Sequence, residues 1–231
     1  MNLAIDLGNS SVKMASFKEG KLVGEILKPP FNEVVAIYKK LVPTNTIISS
    51  VNQNPDELRS RLGEEVIVLN HNTSLPIKIK YKTPLSLGRD RIAAVVGANI
   101  QQPKRNALII DVGTCVTYDF INEHAEYLGG GISPGIDMKL KAMHTFTASL
   151  PLVSSDFNVE LVGDSTEKAL QSGAIIGTIA EIEEIIRMYN DKFSHLRFVI
   201  CGGGAEIIGS RLKTRVEIQP ELVLMGLNGI L

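Results

Sequence analysis

The sequence predicts an α/β protein whose two similar halves face each other across a cleft. Short apolar runs alternate with segments whose apolar residues recur at helical spacing, a pattern that favours an α/β sandwich. An internal sequence repeat defines the two halves. Ala4–Val12 matches Ile109–Thr117, and each segment predicts a strand, an Asp-x-Gly turn and a return strand. Polarity rises at Pro103–Asn106, so the predicted domains are residues 1–105 and 106–231. Ligands prefer the interface between such halves.

Composition narrows the class of protein. The 231 residues are 44% hydrophobic and 21% charged, which is typical of a globular chain. A net charge of -1 and only 5% aromatic residues argue against a nucleic-acid or membrane partner. Two cysteines in apolar runs, Cys115 and Cys201, indicate a reducing compartment, and the N-terminus lacks the basic segment of a secretory signal. We therefore expect a cytoplasmic protein.

The first half is predicted to begin with a strand, a Gly-Asn-Ser-Ser turn and a second strand. The predicted strands are Met1–Asp6, Val12–Phe17, Thr46–Val51, Val66–Leu69 and an alternating segment with Ile77, Ile79 and Tyr81. The predicted helices are one containing Val34, Val35, Tyr38 and Leu41, one over Pro55–Leu62 and one from Asp90 to about Ile100.

The second half repeats that opening and then carries a long helix. Strand, turn and strand over Ala107–Phe120 lead to a Gly-rich loop at Gly129–Gly135 and a helix from about Pro134 to Ala148. The remaining elements are a helix from about Thr166 to Tyr189, a strand over Phe198–Cys201 that enters Gly202–Gly204, and a closing helix over Pro220–Leu231. The long helix carries a stripe of Ile175, Ile176, Ile179, Ile182 and Ile186, with Glu181, Glu184 and Arg187 off it.

The first turn has the residues of a phosphate cradle. Gly8 lets the backbone approach an anion, turn amides and hydroxyls donate to phosphate oxygens, and Lys13 adds a positive charge. Asp6 would repel bare phosphate, so it implies a bridging cation, most simply hydrated Mg²⁺. A plain β-hairpin is the alternative for one copy alone. The predicted cradle is Asp6, Leu7, Gly8, Asn9, Ser10, Ser11, Val12 and Lys13.

A second copy of the turn strengthens the nucleotide interpretation. Asp111, Gly113 and Thr114 would face the first cradle and supply a second carboxylate and another hydroxyl. The chain has no Gly-x-x-x-x-Gly-Lys-Ser/Thr motif and no Gly-x-Gly-x-x-Gly after the first strand. Their absence argues against a P-loop site and a nicotinamide dehydrogenase.

Gly88–Arg91 places an acid between two arginines at the start of a predicted helix. Arginines at a helix N-terminus suit a carboxylate or phosphate substrate, and Asp90 could accept a proton from a substrate hydroxyl. The alternative is an N-capping Asp90 with solvated Arg89 and Arg91.

Taken in order, these motifs resemble type III pantothenate kinases over almost the whole chain. The matching segments are Asp6-x-Gly-Asn-Ser, Gly88-Arg-Asp-Arg91, Asp111-x-Gly-Thr-x-x-Thr117, Gly129-Gly-Gly-Ile-x-Pro-Gly135, Thr166 ahead of Gly173 and Gly177, and Gly202-Gly-Gly204. The resemblance implies two duplicated actin-like ATPase (ribonuclease H-like) domains. It also implies ATP-dependent phosphorylation of pantothenate, the first step of coenzyme A synthesis, by a homodimer that needs a monovalent cation.

The resemblance also implies residue roles. Asp6–Lys13 resembles the ATP phosphate loop and Thr114 a second ATP contact. Asp90 resembles the general base, while Tyr81 and Gly88, Arg89, Asp90 and Arg91 resemble pantothenate contacts. Asp111 resembles the ligand of K⁺ or NH₄⁺, and Thr166 a pantothenate contact that can come from the partner subunit. Ser10 stands where the family usually has Thr, and it keeps the hydroxyl.

Two other functions remain open from the residues. One is another kinase of the same superfamily that acts on a sugar or a carboxylate. The other is a non-catalytic regulator on the same fold, which would be expected to lose the charged site residues that this chain retains: Asp6, Asp90, Arg91 and Asp111.

Overall fold

Two mixed β-sheets with the same strand plan form the frame of the molecule. The computed structural model describes residues 1–9, 11–50 and 55–231. The first sheet contains β1 (Asn2–Leu7), β2 (Val12–Lys18), β3 (Lys21–Leu27), β4 (Asn45–Ser50) and β5 (Ile67–Val68). Its spatial order is β3-β2-β1-β4-β5, with β1 antiparallel to β2 and parallel to β4.

The second sheet repeats this plan and adds one strand. It contains β6 (Lys78–Ile79), β7 (Ala107–Val112), β8 (Cys115–Ile121), β9 (Glu126–Pro134), β10 (Arg197–Cys201) and β11 (Glu217–Ile218). Its order is β11-β10-β7-β8-β9-β6, with β7 antiparallel to β8 and parallel to β10. Five neighbouring strands of this sheet, in the order β9-β8-β7-β10-β11, correspond one to one with β3-β2-β1-β4-β5 of the first sheet. This correspondence confirms the predicted α/β fold with two duplicated halves.

Helices form three layers around the sheets. They are α1 (Val34–Leu41), α2 (Pro55–Leu62), α3 (Arg89–Gln101), α4 (Ile136–Phe146), α5 (Thr166–Lys192), α6 (Ala205–Gly209) and α7 (Leu222–Ile230). One core joins α1 and α2 to the first sheet, and another joins α4, α5 and α6 to the second. The third core contains α3 and α7 together with apolar residues of both sheets, so these two helices fill the space between the halves.

Glycine allows α3 and α7 to touch closely. A Cβ at Gly97 would lie 2.5 Å from the carbonyl oxygen of Leu222, and one at Gly226 would lie 1.7 Å from that of Ala93. Larger residues would force the helices apart and open the central core. The position of Asp90 at the start of α3 therefore depends on this packing.

The division at residue 105 stays a prediction, because elements cross it. β6 from the first half pairs with β9, and α7 from the end of the chain packs against β1, β2 and β4. A strand of the first half thus extends the second sheet, and a helix of the second half covers the first sheet.

Several local predictions were wrong. β3 was not predicted because it is an exposed edge strand without a buried face. The predicted Gly129–Gly135 loop is mostly strand β9, whose backbone is satisfied by pairing with β8. The strand predicted around Tyr81 is limited to Lys78–Ile79. Val51, the predicted end of β4, lies outside the described residues.

The long helix α5 packs mainly within its own half. Ile175, Ile182 and Ile186 are buried against the second sheet, whereas Ile176 and Ile179 are half-buried. Glu181, expected off the buried stripe, is turned inward: its Oε1 accepts a hydrogen bond from the Tyr118 hydroxyl at 2.8 Å and its Oε2 one from Lys139 at 2.9 Å. The isoleucine stripe is therefore no evidence for a subunit interface.

In the described ranges, no helix has both the length and the apolar character that a membrane crossing requires. The two cysteines are both free, with Cys201 buried and Cys115 partly exposed. The cytoplasmic location expected from the sequence stays a prediction.

Candidate active site

The two Asp-x-Gly turns occupy equivalent places in the two sheets. In the first hairpin Asp6 lies opposite Lys13, and in the second Asp111 lies opposite Thr117. The Gly8 amide donates to the Ser11 carbonyl at 3.1 Å. The Gly113 amide likewise donates to the carbonyl of Cys115, at 2.9 Å.

The register corrects the sequence alignment of the two hairpins. Leu7 pairs with Val12, whereas Val112 pairs with Val116, so the first turn is one residue longer. The sequence alignment of the two halves matched Val12 with Thr117, and this was wrong by one position. The residue that truly corresponds to Thr117 is Lys13.

Three carboxylates act on one another between the halves. Burial, followed by the charge of Asp90, raises the pKa of Asp6 to about 7, with Asp111 adding to the rise and Lys13 opposing it. Burial and then Asp90 likewise raise the pKa of Asp111 to about 6, again against Lys13. The predicted base and the predicted turn acids therefore share one electrostatic site. Oδ1 of Asp6 is buried without a hydrogen-bond partner among the described residues.

Asp90 is held at the first turn of α3. Gly88 occupies the N-cap position, and Oδ1 of Asp90 accepts a hydrogen bond from the Arg91 amide at 2.8 Å. A Cβ at Gly88 would lie 2.6 Å from that same oxygen, so any side chain there would displace the carboxylate. Arg89 is half-buried and donates from Nη1 to the Leu87 carbonyl at 2.7 Å. Gly88, not Asp90, caps the helix, so the alternative of an N-capping aspartate was wrong.

Arg91 is not a solvated side chain. Its Nη2 lies 2.6 Å from Oδ1 of Asp119 and its Nε 3.0 Å from the same oxygen, and both residues are buried. The Tyr127 and Thr117 hydroxyls also donate to Asp119, the latter at 3.1 Å. Burial disfavours a charged guanidinium, but Asp119 outweighs it and raises the pKa of Arg91. The guanidinium lies 6.0 Å from the ring centroid of Tyr81.

Sequence reasoning missed Asp119 and Tyr127. The available signal was an acid inside the apolar run Val116–Ile121, where alternation places Asp119 on the same face as Thr117. What alternation does not supply is the partner, because Arg91 lies 28 residues earlier in the chain.

Asp111 is further confined by the loop after β10. Gly202 has a φ of +87°, and a Cβ there would lie 2.2 Å from Oδ1 of Asp111. This position therefore requires glycine, both for its backbone conformation and for the approach to the carboxylate. Cys201 lies beside Asp111 in the parallel register.

Two cavities share Gly203 as a wall residue. One, of about 280 Å³, adjoins the second turn, and the other, of about 270 Å³, adjoins Lys13. The Gly-rich loop thus lies close to both hairpins, as a nucleotide-binding loop requires. The first cavity is lined by Val112, Gly113, Ile136, Asp137, Ser155, Phe157, Gly203, Gly204 and Ile207. The second is lined by Lys13, Ile26, Lys28, Gly202, Gly203, Glu206, Pro220, Glu221 and Leu224.

Other predicted site residues differ in their placement. Leu7 and Val12 are buried in the outer core, so only their backbone faces the turn. Ser10 lies outside the described residues. The Thr114 carbonyl accepts from the Gly135 amide at 3.0 Å, which ties the second turn to the start of α4. Thr166 is exposed at the first residue of α5, and within the described ranges it forms no hydrogen bond or ion pair with the carboxylate cluster.

Two sheets that repeat one strand plan, with an acidic hairpin turn in each, place the chain in the actin-like ATPase and sugar-kinase fold class. Solved structures show the same fold. The polyphosphate/ATP-glucomannokinase of Arthrobacter sp. strain KM superposes with a TM-score of 0.53 at 15% identity, covering 97% of this chain and 95% of that one.

Sequence comparisons identify one family within this fold class. The type III pantothenate kinase profile matches residues 2–188. A type III pantothenate kinase of Cytophaga hutchinsonii is 40% identical over 231 residues, covering 100% of this chain and 98% of the relative. One of Christiangramia forsetii is 40% identical over 237 residues with the same coverage. The chain belongs to the type III pantothenate kinase family, which confirms the predicted family and the prediction of a pantothenate-phosphorylating enzyme.

Proposed function

We propose that this protein transfers the γ-phosphoryl group of ATP to the primary hydroxyl of pantothenate, the first step of coenzyme A synthesis. The observation that carries the proposal is the electrostatic coupling of Asp6, Asp90 and Asp111 around Lys13. Phosphoryl transfer needs positioning and charge neutralisation more than covalent chemistry. One turn from each half, with the start of α3 near both, meets that requirement.

Asp90 acts as the general base in this proposal. Its carboxylate accepts the proton of the pantothenate hydroxyl while the new O–P bond forms and the bond from the γ-phosphorus to the bridging oxygen breaks, releasing ADP. The Arg91 amide holds one carboxylate oxygen, so the other is available to the substrate.

The first turn binds the phosphates. The backbone from Asp6 to Lys13 and the Lys13 ammonium group meet the phosphate oxygens, and Thr114 contacts ATP from the other half. Asp6 fits Mg²⁺ held through water, because its Oδ1 is buried and unpaired among the described residues and hard cations prefer oxygen ligands. Mg²⁺ bound there would neutralise phosphate charge.

Asp111 holds the monovalent cation, K⁺ or NH₄⁺. Its strand neighbours are the hydroxyl of Thr117 and the thiol of Cys201, neither of which carries a compensating positive charge. The raised pKa of Asp111 shows that the carboxylate is costly to ionise without a counterion.

Pantothenate binds beside the start of α3. Arg91 suits its carboxylate, Tyr81 covers the arginine, and Gly88 and Arg89 complete the segment. All four residues lie in the first 105 residues of the chain, but Asp119, which holds Arg91, comes from β8 in the second half.

The decisive assay measures ADP release from ATP with pantothenate, hexoses and simple hydroxy acids in parallel. We expect turnover with pantothenate alone, in K⁺ rather than Na⁺ at matched ionic strength, with Asp111→Ala losing the difference between the two cations. Turnover of a hexose without turnover of pantothenate would assign the chain to another kinase of the superfamily. Equal rates in the two salts would remove the cation from Asp111.

The proposed active unit is a homodimer in which Thr166 reaches the pantothenate of the other subunit. Support comes from the end of α4 and from the segment that follows it as far as Thr166. Both leave apolar side chains in solvent: Phe146, the last residue of α4, is 85% exposed, and Leu161 and Val162 in the segment are 77% and 79% exposed. Such a concentration of exposed apolar residues is typical of a protein interface, and two-fold dimers are the commonest homo-oligomers.

Subunit complementation tests the dimer. Asp90→Asn mixed with Thr166→Val should regain part of the activity, because one site of the heterodimer has both residues intact. Asp90→Asn mixed with Asp90→Ala is the control, since both subunits share one defect. A monomeric active species in light scattering, or no recovery after verified exchange, would contradict the arrangement.

A further inference from the structure

We propose that Asp119 is a positioning residue for pantothenate, acting through Arg91, and that it sets the preference for a substrate that ends in a carboxylate. The proposal rests on the proposed function, because it assigns Arg91 to the carboxylate end of pantothenate. Asp119 itself lies beneath Arg91 and touches no substrate.

The contacts of Asp119 fix the guanidinium in one orientation. Its Oδ1 accepts from Nε and Nη2 of Arg91 at 3.0 and 2.6 Å, and its Oδ2 lies 3.2 Å from Nε. Asp119 engages two of the three guanidinium nitrogens, and Nη1 is the one it leaves unengaged. A planar fork held on one edge presents its other edge in a fixed direction, which is the geometry that recognition of a carboxylate needs.

Two hydroxyls orient Asp119 in turn. Thr117 Oγ1 donates to its Oδ2 at 3.1 Å, and the Tyr127 hydroxyl donates to its Oδ1. Thr117 lies opposite Asp111 in the β7–β8 register, so the network runs from the second turn to Arg91.

A second path leads from Asp119 to Tyr81. The rings of Tyr127 and Tyr81 stack with centroids 6.4 Å apart, and Arg91 lies over Tyr81. Gly129 leaves room for this stack, because a Cβ there would lie 3.0 Å from the Tyr81 ring. Asp119 thus supports two of the residues that the proposed function places beside pantothenate, Arg91 and Tyr81.

The chain contains a second arginine fork that serves as a matched control. Arg197 donates from Nε and Nη2 to Glu217 at 3.0 and 2.7 Å, and from Nη1 to the Ala98 carbonyl at 3.0 Å. This pair ties the last part of α3 to the second sheet, as Asp119 and Arg91 tie its start. All three guanidinium nitrogens of Arg197 donate hydrogen bonds within the protein, so the Arg197–Glu217 pair has only a structural role.

The experiment compares Asp119→Asn with Glu217→Gln. For each variant, kcat and KM are measured for pantothenate and for pantothenyl alcohol, which lacks the carboxylate, and thermal stability is measured alongside. We expect Asp119→Asn to raise the KM for pantothenate about tenfold or more and to lower the preference for pantothenate over the alcohol by a similar factor. Glu217→Gln should lower thermal stability and leave that preference unchanged.

A preference that stays at its wild-type value in a folded Asp119→Asn protein would overturn the proposal. If that variant does not fold, Tyr127→Phe replaces it, because it removes one hydrogen bond to Asp119 and no charge; its preference should fall severalfold, and an unchanged value would equally overturn the proposal. A wild type that does not phosphorylate pantothenate would instead refute the proposed function, so the two failures are distinguishable.

Discussion

The two hairpin turns share a backbone plan and differ in what flanks their aspartates. Asp6 has Lys13 beside it on β2 and Ser49 on β4, whereas Asp111 has Thr117 on β8 and Cys201 on β10. One turn therefore has a lysine opposite its aspartate, and the other has an aspartate without a charged strand neighbour. The two hairpins share a backbone plan, and in the proposed function these two cross-strand positions suit the turns to opposite ligands.

Asp90 lies within electrostatic reach of both turns, because its charge raises the pKa of Asp6 and that of Asp111. Asp90→Asn should lower kcat by about 10²–10⁴, the usual cost of losing a general base. It should also lower both carboxyl pKa values, since a negative neighbour is removed. The measurements are steady-state kinetics and NMR titration of the aspartates. A kcat near the wild-type value would exclude Asp90 as the base.

Replacing the residue opposite each turn aspartate should lower kcat/KM for ATP by different factors in the two halves. Lys13→Met should reduce kcat/KM for ATP by about 10², because it removes the positive charge opposite Asp6. Thr117→Val, at the equivalent place in the second hairpin, should reduce it only a few-fold and act mainly on pantothenate. Equal losses for ATP would show that the two turns contribute alike to phosphate binding.

Part of this site was predictable from sequence. Asp6, Asp111 and Asp90 were found because each follows or precedes glycine in a short local pattern. Asp119 was recognised only in the structure, since its meaning comes from a contact between β8 and α3. β3 was missed for a physical reason as well: an edge strand with Gly24 at a φ of +73° and exposed Leu22 and Val23 has no buried face to create a periodic pattern.

The confinement of Asp111 can be tested on neighbouring glycines. Gly202→Ala should lower the free energy of unfolding by about 1–3 kcal/mol, because alanine is strained at positive φ and its Cβ would meet the Asp111 carboxylate. Gly203→Ala is the matched control, since a Cβ there meets nothing within 4 Å. Urea unfolding measures both, and activation by K⁺ should be impaired only in the first. Similar stabilities for the two variants would mean that the loop adapts.

The smallest effect expected is a pH dependence of stability, which compares the two aspartates directly. Their folded pKa values, about 7 for Asp6 and about 6 for Asp111, lie above the ordinary value of 3.8. Between about pH 4 and 7 the folded protein therefore binds more protons than the unfolded chain, so the free energy of unfolding falls as pH rises. The loss reaches its limit near pH 7 for Asp6 and near pH 6 for Asp111.

Neutral variants isolate each contribution. At pH 7.5 and without divalent cations, Asp6→Asn should be more stable than the wild type, and Asp111→Asn should be more stable by a smaller margin, because the pKa of Asp111 is raised less. At pH 4 both differences should vanish, because both carboxyls are then protonated in the folded protein. Mg²⁺ should stabilise the wild type more than Asp6→Asn, since the proposed function has it bind the ionised carboxylate. Identical pH profiles for the two variants would contradict this difference between the turns. The two aspartates would then have the same electrostatic surroundings despite their different strand neighbours.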